Sequence, residues 1–329
     1  MSHQVTVLPS GHQFAVEAGQ TVLDAALQAG VMLPYSCKNG ACSSCKGKIT
    51  AGEVELGPHQ SASLTPDEIA RGMSLFCVAK PQTDLTIEIR EVQGIGDIPI
   101  KKLPCRVQGI EKVAPDVVIL KLQLPATEKL RFNAGQYIEV ILKDGRRRSY
   151  SLASAPHEEG PLELHVRHLP GGAFTDHVFG AGATQMKERE IMRFEGPFGS
   201  FFLREDSDKP IVMVASGTGF APIRAMVEHI KAKGITRPVT LYWGGRRPHD
   251  LYADAMAKGW ARELPNFTYV PVVSNALPDD NWTGRTGFVH RAVLEDFKDL
   301  SGYQVYACRA PIVVESAGRG FGAEPRVAF

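Results

Sequence analysis

The chain has 329 residues, of which 43% are hydrophobic, with 37 basic and 36 acidic side chains. This length allows two or three domains with buried cores, and the balanced charge gives no global field that would attract nucleic acid or an anionic membrane. No run approaches the roughly 18 apolar residues of a membrane span, and the amino terminus lacks the pattern of a signal peptide. We therefore expect a cytoplasmic protein.

The first part of the chain predicts a small β-grasp domain. Residues 4–8 and 13–17 have the pattern of two short strands, and residues 21–30 that of an amphipathic helix ending at Gly30. Further strand patterns follow a cysteine-rich loop, at residues 48–50, 54–56 and 84–89. Because the segment 93–99 is rich in breakers, we place a first domain at 1–93 and a linker at 94–103.

Two further domains follow from a change in periodicity. Short strands separated by turns are typical of a β-barrel, which we place at 104–205, and they occur at residues 117–122, 136–142 and 162–166. Apolar strands then alternate with helices, which predicts a doubly wound parallel sheet at 206–329. These strands lie at 211–215, 239–243 and 304–307, and the helices at 222–233 and 291–298.

The strongest motif is a group of cysteines. Cys37, Cys42, Cys45 and Cys77 have the C-x4-C-x2-C…C spacing of plant-type 2Fe-2S ligation. Small residues between the first three let backbone N–H groups point at the sulfurs. Buried free cysteines or a four-thiolate zinc site are the alternatives, but zinc normally uses two C-x2-C pairs. The spacing predicts a 2Fe-2S cluster.

Two weaker motifs lie in the predicted barrel. In the RSYS motif (148–151), Arg148 can pair with a pyrophosphate, Tyr150 can lie against a flavin or ribose, and Ser151 can hydrogen-bond a flavin ring. In the GGAFT turn (171–175), Gly171 and Gly172 precede Thr175 at the start of a helix, where an anion can bind. An exposed basic strand and an ordinary glycine turn are the alternatives. His165 and His168 fall on opposite faces of a strand and are interpreted as ordinary barrel residues.

The third domain carries a candidate dinucleotide site. The dinucleotide loop, Gly217, Thr218 and Gly219, directly follows an apolar strand, and Pro222 lies in the first turn of the next helix. A structural turn is the alternative. Farther on, Arg246 and Tyr252 supply cationic and aromatic groups suited to the adenosine end of a nucleotide.

In this order the motifs resemble the ferredoxin-NAD(P)+ reductase superfamily with a ferredoxin domain fused at the amino terminus. The resemblance implies a multidomain fold of α+β, β-barrel and α/β parts: a β-grasp ferredoxin domain, an FAD-binding Greek-key β-barrel and a doubly wound nucleotide-binding domain. It assigns the RSYS motif to flavin binding and implies a catalytic position for Ser151, beside the flavin ring. The GGAFT turn is assigned to the FAD pyrophosphate, and the dinucleotide loop to NAD(P)H.

The resemblance also implies a function, because a nicotinamide delivers two electrons as hydride, a 2Fe-2S cluster takes one at a time, and a flavin links the two. Segments 93–99, 101–104 and 170–177 look like those of the CDP-6-deoxy-Δ3,4-glucoseen reductases, which pass electrons to a pyridoxamine-dependent sugar dehydrase. A reductase component of a ring-hydroxylating oxygenase is the first alternative. NADH is the expected donor, although Arg246 and Arg247 leave NADPH open.

The carboxyl terminus departs from the family pattern. Relatives have Cys-Gly-x-Pro beside the nicotinamide, which implies a catalytic position for Cys308, but Arg309 follows it here. The segment 316–325 holds three glycines and a proline, which disfavours a helix and favours a divergent or frame-shifted end. Our hypothesis is that Arg309 crowds the nicotinamide site and impairs NADH-driven activity. This leaves a second alternative, a ferredoxin-type electron carrier.

Overall fold

The computed structural model describes residues 2–93 and 98–308, and the backbone of residues 326–328. The chain divides into two compact units. The first comprises residues 1–97 with the segments 199–201 and 327–329, and the second comprises residues 98–198 and 202–326. None of the described helices is long and apolar enough to cross a membrane.

The first unit is a β-grasp fold, as predicted. Its main sheet has the order β2-β1-β7-β3-β5, in which β1 pairs antiparallel with β2 and parallel with β7. The elements are β1 (His3–Leu8), β2 (Gln13–Val16), α1 (Val22–Gln28), β3 (Lys46–Ala51), β4 (Val54–Leu56), α2 (Pro66–Ala70), β5 (Met73–Leu75), β6 (Ala79–Pro81) and β7 (Leu85–Glu88).

Local chemistry explains these elements. Val5 and Val7 alternate with polar residues in β1 and are fully buried, whereas the side chain of Thr21 caps α1 by accepting from the amide of Asp24 at 3.1 Å. The neighbouring strands β3 and β4 do not form a hairpin. Both edges of β3 are paired, with β5 and β7, so β4 pairs with β6 in a separate ribbon.

The barrel half of the second unit (98–198) is an antiparallel sheet of order β11-β10-β13-β8-β9-β12, and a bridge between Leu152 and Leu164 joins its two ends. Its apolar core includes the fully buried Val107, Leu120 and Phe194. Strand β8 begins inside the segment predicted as a linker. The elements are β8 (Lys101–Ala114), β9 (Val117–Gln123), β10 (Tyr137–Ile141), β11 (Arg147–Ser151), β12 (Leu162–Arg167), α3 (Ala173–Phe179) and β13 (Ile191–Phe198).

The nucleotide half (202–308) contains parallel strands in the order β17-β16-β15-β14-β18, which confirms the doubly wound prediction. The chain starts at β14 in the middle and builds outward in both directions, so the carboxyl ends of β14 and β18 form the switch point where ligands bind such sheets. The elements are β14 (Ile211–Ser216), α4 (Phe220–Lys233), β15 (Val239–Gly245), α5 (Asp254–Glu263), β16 (Phe267–Val273), β17 (Arg285–Thr286), α6 (Val289–Asp296) and β18 (Gln304–Cys308), and β19 (Arg326–Ala328) is described as backbone only.

Candidate functional site

The four cysteines of the predicted cluster come together in the first unit. All four are free thiols, and Cys37 is the most exposed of them. The Cys37 thiol hydrogen-bonds with Cys42 and with Cys77, and Cys45 hydrogen-bonds with Cys77. The four sulfurs therefore form a continuous chain of contacts, within the reach of a small inorganic core.

The titration of these thiols reflects their crowding. Hydrogen bonds from Cys42 and Cys77 lower the pKa of Cys37 to about 2, and a hydrogen bond from Cys77 lowers the pKa of Cys45. The same hydrogen bonds raise the pKa values of Cys42 and Cys77. Four crowded thiols do not all ionise on their own, and a bound metal supplies the positive charge that full ionisation needs.

A pair of irons suits this arrangement. A 2Fe-2S cluster takes four thiolates, two on each iron, and these four thiols lie in mutual contact. The residues present fit a 2Fe-2S cluster.

The backbone of the cysteine loop (37–45) is shaped for the same purpose. The amide of Cys37 donates to Cys42 Sγ at 3.4 Å, and the amide of Ala41 donates to Cys37 Sγ at 3.3 Å. Gly40 has a φ of +75°, and a Cβ there would lie 2.8 Å from the carbonyl oxygen of Pro58. Only glycine fits this turn, which aims amides at the sulfurs.

The cysteine loop and the residue that follows it are also held by contacts to residues about 20 positions farther along the chain, which the sequence did not reveal. Ser43 has a φ of +59°, and its hydroxyl donates to the carbonyl of Ser63 at 2.9 Å. Lys46 forms a 2.8 Å ion pair with Glu68, which also closes the capping box of α2. These partners are about 20 residues away, so no local pattern identifies them.

Three flavin candidates, Arg148, Tyr150 and Ser151, lie on β11, and the consecutive arginines 146–148 at the start of this strand have different environments. Arg146 pairs with a carboxylate in its own turn, and Arg147 pairs with Glu139 and Glu195. Arg148 donates to the carbonyl of Arg147 at 2.8 Å and forms no ion pair within the described part of the chain. These three surface ion pairs thus leave Arg148 as the arginine suited to an anionic ligand.

The RSYS motif and the GGAFT turn meet in the folded barrel. The rings of Tyr150 and Phe174 are 5.2 Å apart, which places the end of β11 beside the start of α3, and Ser151 ends the strand half-buried. An arginine, an aromatic ring and a hydroxyl on one strand beside a glycine turn are a donor set that fits FAD.

The hydroxyl of Thr175 contacts its own turn, and its predicted role toward the FAD pyrophosphate stays a prediction. Its hydroxyl donates to the carbonyl of Leu169 at 2.8 Å and accepts from the amide of Leu169 at 3.2 Å. A Cβ on Gly172 would lie 2.6 Å from that hydroxyl, whereas Gly171 has a φ of +80°. Gly171, Gly172 and Thr175 therefore build the turn itself, and the described contacts of Thr175 are with the chain.

The dinucleotide loop lies at the switch point of the sheet. It forms a 3-10 turn directly after β14, with a φ of +52° at Gly217, and Thr218 is buried. The indole N–H of Trp243 donates to the carbonyl of Gly217 at 3.0 Å. Cys308 ends β18 opposite Ala215 in register, so this thiol lies at the same edge of the sheet as the loop.

Helix α4 and the adjacent aromatic residues support the loop. Pro222 is buried in the first turn of α4, which begins at Phe220, and the Phe220 ring stacks on Trp243 at 4.0 Å. A positive-φ glycine turn leading into a helix at a switch point fits a dinucleotide.

Arg309 and the residues that follow it lie outside the described residues, so the hypothesis that Arg309 crowds the nicotinamide site stays a prediction.

The two residues predicted for the adenosine end make different contacts in the structure. Arg246 is exposed, and its backbone amide donates to Asp250 at 2.8 Å. The neighbouring Arg247 makes two 2.7 Å hydrogen bonds to Asp280. The hydroxyl of Tyr252 lies 2.7 Å from a histidine of the barrel half, His165, a contact across 87 residues that no sequence pattern announced.

The chain matches three protein families in order. The 2Fe-2S iron-sulfur cluster binding domain matches residues 5–82, the oxidoreductase FAD-binding domain matches 104–203, and the oxidoreductase NAD-binding domain matches 213–318. The three matched ranges contain the cysteine, flavin and dinucleotide sites described above. The matches show that the chain binds a 2Fe-2S cluster, FAD and a nicotinamide dinucleotide.

Relatives match along nearly the whole chain. A CDP-6-deoxy-L-threo-D-glycero-4-hexulose-3-dehydrase reductase of Yersinia pseudotuberculosis is 43% identical over 98% of this chain and 94% of its own length. A terephthalate 1,2-dioxygenase reductase component of a Comamonas species is 35% identical over 96% of this chain and 92% of its own. The solved structure of an Amycolatopsis cytochrome P450 reductase is similar with a TM-score of 0.75 and 34% identity, covering 99% of this chain and 97% of that one. The chain belongs to the ferredoxin-NAD(P)+ reductase superfamily, as an electron-transfer reductase with a fused 2Fe-2S domain.

Proposed function

We propose that this reductase takes electrons from NADH and delivers them singly to a pyridoxamine-dependent dehydrase acting on a CDP-linked hexulose. The observation that carries the proposal is the 43% identity over 98% of the chain to the Yersinia dehydrase reductase. The oxygenase reductase component is 35% identical over 96% of the chain, so an oxygenase is the competing acceptor. The two functions share their donor and prosthetic groups and differ only in the protein that docks.

The residues would divide the work among three sites. When bound, FAD and the cluster supply the conversion of a hydride into single electrons. Cys37, Cys42, Cys45 and Cys77 would hold the cluster, with amides of the cysteine loop aimed at sulfur. Arg148 would neutralise the FAD pyrophosphate, and Tyr150 and Ser151 would contact and orient the flavin ring. The dinucleotide loop would hold NADH, with Cys308 beside the nicotinamide.

The preference for NADH is supported by the ion pair between Arg247 and Asp280. Asp280 engages this guanidinium through two hydrogen bonds, and those hydrogen bonds lower the pKa of Asp280. A guanidinium engaged in this way is poorly placed to bind a 2′-phosphate. Asp280→Asn is expected to raise kcat/KM for NADPH several-fold while leaving that for NADH nearly unchanged, as measured by steady-state reduction of ferricyanide.

Cytoplasmic placement is also part of this proposal. All six cysteines are free, including Cys105 and Cys308 outside the cluster site, and thiols persist in the reducing cytosol. Cell fractionation followed by immunoblotting tests it. Recovery of the protein from an oxidising compartment would contradict it.

The central experiment is an anaerobic titration of the purified, coloured protein with NADH and then NADPH. Bleaching of both flavin and cluster bands is expected with NADH. Absence of bleaching with either nucleotide, in protein that dithionite still reduces, would instead support the ferredoxin-type carrier. A colourless protein carrying zinc would contradict the reductase altogether.

Acceptor choice needs a second assay with purified partners. The reduced protein is mixed with a CDP-hexulose dehydrase or with a terminal oxygenase, and reoxidation of the cluster is followed by stopped flow. Faster reoxidation by the dehydrase supports the proposal, and faster reoxidation by the oxygenase overturns it. Cys45→Ser should reduce ferricyanide but neither protein, which shows that the electrons leave through the cluster.

A further inference from the structure

A partly buried polar contact joins the two halves of the second unit, and the proposed electron route does not explain it. His165, on β12 of the barrel half, has a side chain that is only 1% exposed. Its Nδ1 lies 2.7 Å from the hydroxyl of Tyr252 in the nucleotide half, and its Nε2 lies 3.0 Å from Glu163 Oε1. A buried histidine bonded on both nitrogens is fixed in orientation.

The hydrogen-bond directions follow from the partners. An ionised Glu163 only accepts, so Nε2 of His165 carries the proton and Nδ1 accepts from the Tyr252 hydroxyl. Burial lowers the pKa of His165, which keeps the ring neutral. Burial alone would raise the pKa of Glu163, but the hydrogen bond from His165 and the charge of Arg224 outweigh it and lower that pKa.

The ring of Tyr252 continues this contact to the dinucleotide loop. It meets the ring of Trp243 edge-on at 5.3 Å, and the ring of Phe220 edge-on at 6.2 Å. Phe220 is the first residue of α4, and the indole of Trp243 holds the carbonyl of Gly217. Only one aromatic layer therefore separates the His165–Tyr252 hydrogen bond from the turn that follows β14.

A second contact fastens the same region to the barrel. Arg224, one turn into α4, donates to the carbonyl of Ala153 at 2.6 Å and pairs with Glu158 at 3.2 Å. It also lies 3.6 Å from Glu163, the partner of His165. Helix α4 is thus tied to the barrel independently, so loss of the Tyr252 hydroxyl should shift the loop without separating the halves.

We propose that His165 and Tyr252 form a positioning pair, in which a barrel histidine fixes the tyrosine that supports the dinucleotide loop and so sets the nicotinamide against the flavin site. Tyr252 then acts by orientation and not as a contact to adenosine. This inference rests on the proposed NADH-dependent function. Because hydride transfer is steep in distance and angle, a small displacement of the loop lowers the rate more than the affinity.

The test compares Tyr252→Phe with Tyr269→Phe. The control removes a hydroxyl that donates to Asp254 at 3.0 Å, a contact confined to the nucleotide half. In stopped flow, Tyr252→Phe is expected to lower the maximal rate of flavin reduction by about tenfold and to change the apparent NADH dissociation constant by less than about twofold. Tyr269→Phe is expected to retain the wild-type values.

Two further readouts do not depend on turnover. Without nucleotide, backbone amides of residues 216–222 should exchange hydrogen for deuterium faster in Tyr252→Phe than in Tyr269→Phe. Among substitutions of His165, His165→Gln keeps an accepting oxygen and a donating N–H and should restore part of the rate that His165→Leu loses. Equal rates in the Gln and Leu variants would contradict the pair.

The remaining outcomes separate this inference from the proposed function. If Tyr252→Phe weakens NADH binding about tenfold at an unchanged maximal rate, Tyr252 is an adenosine contact and the positioning role is wrong. If neither nicotinamide reduces the wild-type protein, the proposed function fails. The exchange comparison still decides whether the pair orders the loop: equal exchange in the two variants overturns the inference.

Discussion

The cysteine loop and the dinucleotide loop are both short glycine-containing turns, but they are built in different ways. Three of the four cluster ligands lie within nine residues, and amides of the same segment donate to their sulfurs. The dinucleotide loop takes its support from Trp243, whose indole holds Gly217 from the neighbouring strand. One of its links to the barrel is the contact between Tyr252 and His165, which are 87 residues apart.

This difference predicts different responses to mutation. A site whose ligands come from one segment fails when a ligand is removed, because no other residue can replace a thiolate. A site supported by several packed side chains loses affinity or rate gradually, because each contact contributes a fraction. The four substitutions that follow test this contrast.

The largest effect is expected at the cluster. Cys45→Ser should lower the iron content from about two atoms per chain to nearly none, because a serine hydroxyl is a poor replacement for a thiolate. FAD content should remain near that of the wild type. Cys105→Ser is the matched control, since burial raises the pKa of that thiol to about 12 and it lies in the barrel core. Iron analysis and the visible spectrum show whether Cys45 is a cluster ligand. A wild-type iron content in Cys45→Ser would contradict that assignment.

A substitution in the GGAFT turn should have the next largest effect. In Gly172→Ala the new methyl group would lie 2.6 Å from Thr175 Oγ1 and 2.8 Å from the Leu169 carbonyl, so the turn must shift. We expect a destabilisation of about 1–3 kcal/mol and weaker FAD retention. Gly109→Ala in β8 meets only ordinary contacts at 3.7 Å and is the control. Thermal unfolding and FAD titration measure both, and equal behaviour would show that the turn adapts freely.

A smaller effect is expected from the support of the dinucleotide loop. Trp243→Phe keeps an aromatic ring beside Phe220 but removes the donor to Gly217. Because Trp243 bonds the loop directly, whereas Tyr252 reaches it only through other rings, loss of this hydrogen bond of about 1 kcal/mol predicts up to roughly fivefold weaker NADH binding. Trp260→Phe removes an indole N–H that donates to Glu228 at 2.8 Å in the same half, and it should not change NADH binding. Equal dissociation constants in the two variants would mean that the loop holds its shape unaided.

The smallest effect concerns the ion pair behind the cysteine loop. Burial would raise the pKa of Glu68, but the hydrogen bond and charge of Lys46, together with hydrogen bonds from Thr65, outweigh burial and lower that pKa below the usual 4.5. The pair therefore stabilises the fold above about pH 4.5, and its contribution is lost as the pH falls through the lowered pKa. Glu68→Gln should cost at most about 1 kcal/mol at pH 7 and nothing at low pH. Urea unfolding at several pH values tests this against Glu55→Gln, and a pH-independent difference would exclude the ion pair as its cause.

Sequence patterns predicted the elements near the sites well, because strands such as β1 and β14 are specified by local alternation or by continuous apolar runs. They did not reveal β8, whose first residues lie in the predicted linker, nor the pairing of β4 with β6. They placed His168 on a strand, but β12 ends at Arg167. Pairing depends on which edges are already occupied, and a single segment does not contain that information.

The sequence by itself determined the cysteine spacing, the order of the three domains and the glycine turns, because these depend on residues close together in the chain. The tertiary structure decided which side chains remain available for ligands. It placed Arg147 against acidic neighbours and left Arg148 without an ion pair among the described residues. It also turned Tyr252 toward His165, because a partly buried hydroxyl and a buried imidazole each need a partner that only the folded chain supplies.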